Sequence, residues 1–478
     1  MSSLDTSIIY AYLGLMILIG LYANYRQNNV EDYFVAGRRL GSFSIACLWL
    51  ASWIGGASII GGSARAHEIG ISAIWYVLSL AIGCLLFGLF AAARVQTLGQ
   101  KHKHLTYPDF MEERFDSRTR IVATITTSAA FIAFAAGQMV ALGSILHVLI
   151  GWEYAHALLL ASAIVIVYTA TGGFLAVTYT DWVQFILLLI GVVFIGMPIA
   201  ISEAGSFTEL QSKLPASYFD IGAWGWPTII ALVFSIVLSF FVAMDSFTRC
   251  FAAKNATAAR RGALLAVIFV IPIAVSATWL GLASATLFPD VENSNDILTT
   301  FVMVLFPAGL KGLMLVGILA AVMSTADICI LTASANLTRD VYHRYINPDI
   351  SKKSMLRLSM WASVVVGLLA TFIAWKMQDI IDVLLLGFAI NSATLFVPTV
   401  IALLTRRTNA TAAFWSIALS FPVVVIWKVA ATYGMEGVFL VDPLWPGLIV
   451  SSVSYVYIAL AKHDGHHPMP FPGSRSGK

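Results

Sequence analysis

Apolar runs long enough to cross a lipid bilayer recur from residue 7 to residue 461, and no other feature constrains this chain's fold as tightly. A run of about twenty apolar residues, helical, spans the hydrocarbon core. Thirteen spans are predicted, near 7–25, 43–66, 72–93, 119–149, 154–171, 175–201, 227–250, 262–288, 300–337, 355–376, 380–404, 410–432 and 444–462. The long runs 119–149 and 300–337 leave room for tilt or a short surface helix. In lipid every backbone polar group must be satisfied within the protein, so only helices or a closed barrel qualify. The alternating pattern of a barrel strand is absent. The chain therefore reads as an all-α polytopic membrane protein: one transmembrane domain over 1–478, with no large soluble domain between spans. Of its residues 59% are hydrophobic and 11% charged, where a soluble domain carries about twice that charge.

Basic residues set the expected orientation. All 28 Lys and Arg fall on one side of this threading except Lys213, Lys311, Lys376, Lys428 and the boundary residue Arg65. That bias puts the N-terminus outside and the C-terminus in the cytoplasm of a cell (inner) membrane. The first apolar segment lacks a basic leader and a small-residue cleavage site, so it reads as a retained helix. Cys47, Cys84, Cys250 and Cys329 lie in or at the ends of spans, and no disulfide is expected. The tail 463–478, polar and rich in Gly and Pro, reads as disordered and leaves no room for an output domain.

Two segments carry polar groups where lipid should be, which makes them functional candidates. In GILAAVMSTADICILTASANLTRD (317–340), Ala321, Ser324, Thr325 and Asp327 fall within two turns. A hard alkali cation wants several oxygen ligands, as Ca²⁺ and Mg²⁺ do. One helix of hydroxyls cannot complete that shell, but carbonyls freed from a broken neighbouring helix can. ASWIGGASIIGGS (51–63) suits that purpose, since each glycine weakens a helix by roughly 1 kcal/mol relative to alanine. Close helix packing through small residues is the competing reading of the same glycines.

These segments resemble the sodium/solute symporter family. DYFVAGRRLG (32–41) is similar to the family's Asp-Tyr-Phe/Ile-x-Gly-Gly-Arg-x-Leu-Gly loop, with Ala36 for one Gly. YTATGGFLAVTYTDWVQ (168–184) resembles its Gly-Gly-Leu/Phe-x-Ala-Val-x-Trp-Thr-Asp-x-x-Gln signature, with Tyr179 for Trp, and AAVMSTAD (320–327) its sodium-site helix. The resemblance implies two inverted five-helix repeats, 43–201 and 227–404, with helices broken at the midplane. An extra N-terminal helix (7–25) precedes them and two C-terminal helices (410–462) follow. It implies a sodium site made by the carbonyls of Ala51, Ile54 and Ala321 and the hydroxyls of Ser324 and Thr325. Asp181 would lie on the inward sodium path, and Asp327 would serve a second cation site, carry a proton or cap a local network.

The solute site is expected around the break, at Ser52, Trp53, Gly55 and Gly56. WIGG resembles a Trp-x-Gly-Gly run of the family's choline carrier, whose tryptophan helps cage a quaternary ammonium by cation–π attraction. Phe134 offers another aromatic wall, while the span holding Phe241 and Asp245 lacks the tryptophan such a cage needs. Asp245 either receives an amine or pairs with Arg249 four residues on. Gln138 and Asn391 either line the site or bridge helices, and Arg65 with Glu68 reads as a gate or a surface ion pair, the surface pair being preferred. The expected function is sodium-coupled import of a small organic solute by alternating access, an amino acid or choline-like amine. A monocarboxylate, pantothenate or sugar symporter, or a membrane sensor of similar fold, are the alternatives. Na⁺, the solute and the bilayer are the expected partners, and no nucleic acid is. No GxxxxGK[ST] loop or channel filter is present, so neither a nucleotide-driven pump nor a channel is favoured, and no enzyme is expected.

Overall fold

The computed structural model describes residues 2–26, 35–405, 408–432, 434, 437 and 441–461. The side chains of 171–182 and of a few other helical residues lie outside that description. So the readings on the Asp181 side chain, most of the second family marker, residues 32–34 of the first and the tail 463–478 fall outside the described residues.

Among the described residues, helices make up the fold. They are α1 (Ser3–Arg26), α2 (Ser42–Trp53), α3 (Gly56–Ile69), α4 (Ile74–Phe90), α5 (Ala92–His102) and α6 (Tyr107–Arg114). Then come α7 (Ser117–Ile150), α8 (Tyr154–Leu189), α9 (Met197–Ala204), α10 (Phe207–Lys213), α11 (Trp226–Phe240) and α12 (Met244–Ala252). The rest are α13 (Ala256–Leu287), α14 (Ile297–Leu305), α15 (Leu310–Ala335), α16 (Lys352–Lys376), α17 (Ile380–Leu404), α18 (Ala410–Thr432) and α19 (Leu444–Ala461). Local chemistry sets many of the ends. Asp116 caps α7 by accepting the Thr119 amide at 2.8 Å, and left-handed Gly151 closes it at φ 76°.

Among the described residues, ten helical runs are long and apolar enough to cross a membrane, against thirteen expected. The expected run 7–25 lies in α1, several of whose side chains are outside the description, and the rest of the shortfall comes from spans that merge. Ser42–Trp53 and the described stretch Tyr154–Val167 are too short alone, and Gly56–Phe90 runs on as one length. The spans expected at 154–171 and 175–201 join in one helix, α8, which continues through a π-helical stretch, Ile190–Gly196, into α9. The long run near 300–337 divides into α14 and α15.

Two helices break. The first break separates α2 from α3 at Ile54 (φ −110°, ψ 75°) and Gly55 (φ −79°, ψ 170°). The second, absent from the sequence reading of 227–250, separates α11 from α12 at Phe241–Ala243. There the Ser239 carbonyl accepts both the Val242 amide (3.0 Å) and the Ala243 amide (2.8 Å). Helix α15 packs against α2, α3, α7 and α8, which brings its hydroxyl-bearing face to the first break.

Candidate sodium and solute site

The glycines of the first break act by close approach. Neither Gly55 nor Gly56 lies at positive φ, so any L-residue could adopt their backbone. A Cβ on Gly55, however, would stand 2.4 Å from Thr325 Oγ1 and 3.0 Å from Gln138 Oε1. One on Gly56 would stand 2.1 Å from Val322 Cγ2 and 2.8 Å from the Ile318 carbonyl. The break and the packing of small residues, set against each other in the sequence, are one device. The chain leaves helical geometry, and bare backbone then lies directly on α15.

Four oxygens meet at this contact. Thr325 Oγ1 lies 3.2 Å from the Ala51 carbonyl and 3.1 Å from that of Ala321. Ser324 Oγ lies 3.5 Å and 3.0 Å from the same two oxygens. Ala51 is in the last turn of α2, where carbonyls lack an intrahelical partner and can turn to another ligand. Ile54 sits in the break itself, its amide on the Leu50 carbonyl at 2.9 Å. The donors are neutral carbonyls and rotatable hydroxyls, a set that fits a hard monovalent cation. Among the described residues no group of three or more His, Cys, Asp or Glu is arranged to hold a metal ion. Asp327 is buried one turn beyond Ser324 and accepts a hydrogen bond from the Thr169 hydroxyl of α8.

Beside the oxygens lies a cavity with about 450 Å³ of atom-free space, its open side included. Of the expected solute residues, Ser52, Trp53, Phe134, Gln138 and Asp245 line it, and so does Thr325. Thr325 thus faces both the cation oxygens and the cavity. Trp53 stacks on Phe240 (centroids 3.7 Å apart, planes at 24°), and its indole N–H is buried without a partner. Gln138 Oε1 accepts the Ala57 amide at 3.2 Å, fixing the first turn of α3. Asp245, the one charged residue in the lining, is buried. It pairs with Arg249 at 2.9 Å and accepts the Ser52 hydroxyl at 3.3 Å. The structure therefore shows the ion-pair reading of Asp245, and the same carboxylate lies in the cavity wall.

Several expectations land elsewhere. Phe241 turns its ring to Phe87 (5.6 Å) and Phe396 (6.1 Å), and its neighbour Phe240 meets Trp53 instead. Asn391 is fully buried behind the second break, its amide nitrogen 3.5 Å from Ser239 Oγ. Gly55 and Gly56 contribute backbone contact with α15 in place of cavity lining. Arg65 is more than half of a surface pair. It bonds Glu68 at 2.9 Å and Asp379 at 2.8 Å, tying α3 to the start of α17, while Glu68 accepts the Ser294 hydroxyl at 2.6 Å. The sequence reading omitted Ser58, Tyr76, Phe131, Ile328, Cys329, Leu384 and Phe388, which complete the wall. They are ordinary members of apolar spans, and only packing selects the face that meets the cavity.

Broken helices, a nest of neutral oxygens and an adjoining cavity are the parts of a secondary transporter. The profile of the sodium:solute symporter family matches residues 33–419, and the chain belongs to that family. It is 26% identical over 457 residues to the high-affinity proline transporter PutP of Bacillus subtilis, covering 93% of this chain and 95% of that one. It is also 26% identical over 470 residues to the sodium/proline symporter of Escherichia coli, covering 94% and 91% respectively. Among solved structures it resembles a substrate-bound, outward-open Na⁺-coupled sialic acid symporter, with TM-score 0.79 at 21% identity over 98% of this chain and 99% of that one. The nucleobase-cation-symport-1 family transporter Mhp1 shares the fold more loosely, with TM-score 0.55 at 17% identity over 91% and 96%. The protein is a multi-pass membrane transporter of the sodium symport class and not an enzyme.

Proposed function

We propose that this protein couples downhill Na⁺ entry to uptake of a small zwitterionic amine, an amino acid of the proline type being the first candidate. The observation that carries the reading is the double position of Thr325. Its hydroxyl belongs to the cation oxygens and also borders the cavity, so occupancy of either site bears on the other. By linkage, Na⁺ then raises solute affinity and solute raises Na⁺ affinity by the same factor. The cavity chemistry supports the substrate class. Asp245 can receive an amine, yet its charge is already balanced by Arg249, so a solute of zero net charge fits better than a free cation. The unpartnered Trp53 N–H and the Gln138 amide, whose Oε1 alone is engaged, are donors for a carboxylate. The proline-carrying relatives point the same way.

In this reading Ala51, Ile54, Ala321, Ser324 and Thr325 hold the ion, and Asp181 lies on its exit path. Asp327 is a candidate for a second cation. The halves 43–201 and 227–404 are inverted repeats, a division supported by the broken helix that opens each. They rock about the site, with the N-terminus outside and the C-terminus inside.

Uptake by the purified protein in proteoliposomes tests the proposal. Radiolabelled proline, other amino acids, choline, a monocarboxylate and a sugar are compared under an inward Na⁺ gradient and under K⁺. Na⁺-dependent accumulation of an amino acid, with the Na⁺ requirement weakened at least tenfold in Ser324→Ala/Thr325→Ala, is expected. Accumulation that ignores Na⁺, or Na⁺-driven uptake of the sugar alone, sinks it.

A further inference from the structure

We propose that Asp5, on the N-terminal helix, is a positioning residue for the sodium site, an inference that rests on the sodium reading of Ser324 and Thr325. Helix α15, which carries those hydroxyls, begins at Gly309. That residue holds φ 90° and has no side chain with which to cap the helix. The first amides of a helix need an acceptor, and a Ser, Thr, Asp or Asn at the cap ordinarily supplies it. Here it comes from another helix. Asp5 Oδ1 accepts the Gly309 amide at 2.8 Å and the Gly312 amide at 3.0 Å, and Asp5 is 1% exposed. Its other oxygen is held by the Ser2 amide (2.9 Å) and hydroxyl (2.7 Å), so the carboxylate has one fixed orientation.

The contact continues towards the ion. A Cβ on Gly312 would lie 2.8 Å from the Asp5 Cα, so the two backbones touch. Further along, Tyr12 packs on Val316 and Ala320, and its hydroxyl accepts the Gln184 amide at 3.1 Å. Ala320 directly precedes Ala321, one of the two carbonyls in the oxygen nest. Helix α1 therefore clamps α15 from its cap to the edge of the site. The nest depends on the axial register of α15 against α2, because Ser324 and Thr325 belong to one helix and Ala51 to the other. A cap that fixes that register from outside tunes the cation geometry without touching the ion.

Equilibrium binding of radioactive Na⁺ to the purified full chain tests this, with Asp5→Ala, Asp5→Asn, Gly312→Ala and Thr325→Ala compared at matched amounts of folded protein. Asp5→Ala is expected to raise the Na⁺ dissociation constant by about two- to thirtyfold, the span of one lost helix cap where its cost falls on the bound state, with binding capacity unchanged. Asp5→Asn keeps an oxygen for both amides and should stay within about twofold of wild type. Gly312→Ala, which separates the two backbones while leaving the carboxylate, should shift affinity in the same direction as Asp5→Ala, and it reads the clamp even where Asp5→Ala fails to accumulate. A purely structural role predicts less folded protein but unaltered affinity in both Asp5→Ala and Gly312→Ala. That result, with Thr325→Ala still weakened, overturns the positioning role alone. Unaltered affinity in Thr325→Ala overturns the sodium site on which it rests.

Discussion

Gly55→Ala asks what the glycine is for. Its backbone (φ −79°, ψ 170°) suits alanine, so no conformational strain is expected. The new Cβ would stand 2.4 Å from Thr325 Oγ1 and 3.0 Å from Thr325 Cβ and Gln138 Oε1, well inside contact distance. Thr325 must therefore move away from the break, and the 3.2 Å approach of its hydroxyl to the Ala51 carbonyl is lost. Overpacking of this kind costs about 1–3 kcal/mol. If that cost falls on the bound state, Na⁺ affinity drops by roughly 5- to 150-fold, since about 1.4 kcal/mol is a factor of ten. Radioactive Na⁺ binding to purified protein, with a thermal melt on the same sample, measures both shares. Gly62→Ala is the control: its Cβ meets nothing closer than Val77 Cγ2 at 3.6 Å, and the change should be neutral or slightly stabilising. Because the clash in Gly55→Ala is chiefly with Thr325, the double variant Gly55→Ala/Thr325→Ala should bind no worse than Thr325→Ala alone, a non-additivity of about 1–3 kcal/mol. Wild-type Na⁺ affinity in Gly55→Ala, or simple additivity with Thr325→Ala, refutes the close-approach account.

Trp53→Phe keeps a ring for Phe240 but removes the unpartnered N–H, so the uptake KM should rise about tenfold if that N–H meets a substrate carboxylate, and further in Trp53→Leu. Unchanged KM in both, at matched protein levels, leaves Trp53 a packing residue. Asp245→Asn strands Arg249 in a buried site and should destabilise the protein by about 3–5 kcal/mol in a melt. Asp245→Asn/Arg249→Gln should recover most of that stability but not amine affinity, and full recovery of KM would exclude Asp245 from amine recognition. Cys329 is the one cysteine that lines the cavity, so in a variant lacking Cys47, Cys84 and Cys250 substrate with Na⁺ should slow its reaction with a small permeant thiol reagent. Equal labelling with and without substrate separates the cavity from the transport path. Arg65→Gln should cost under about 1 kcal/mol in a melt, as partly exposed pairs do, while slowing uptake because the tie from α3 to Asp379 is cut. Unaltered uptake makes the tie incidental.

What could be read in advance follows from where the physics is local. Bilayer thickness and the lack of water fix span length, so the expected spans are helical, although 43–66, 227–250 and 300–337 are each divided between two helices. Ser324, Thr325 and Asp245 stood out because polar groups are costly in lipid; the structure puts Ser324 and Thr325 together at the first break, and Thr325 and Asp245 in the adjoining cavity wall. The apolar wall gave no such signal, since Phe388 and Leu384 differ from their lipid-facing neighbours only in which way the helix is turned. Phe240 and Phe241 show how fine the distinction is: adjacent rings at the second break, one stacked on Trp53 and the other turned to Phe396.

The two breaks part company for a related reason. The first advertises itself through glycines, although those glycines serve contact with α15 more than backbone freedom. The second, in SFFVAMDS, contains neither Gly nor Pro, and its turn is held by the Ser239 carbonyl. Its lower helix is anchored from outside, by Arg249 Nε on the Leu48 carbonyl at 2.8 Å and by Asp245 on Ser52. Both anchors are residues of α2, so the second break leans on the helix that ends in the first. A movement of α2 would therefore reach α12 through two hydrogen bonds, with no intervening element. No Gly or Pro marks this break: the Ser239 carbonyl holds the turn itself, and the contacts that anchor α12 come from α2, about two hundred residues away.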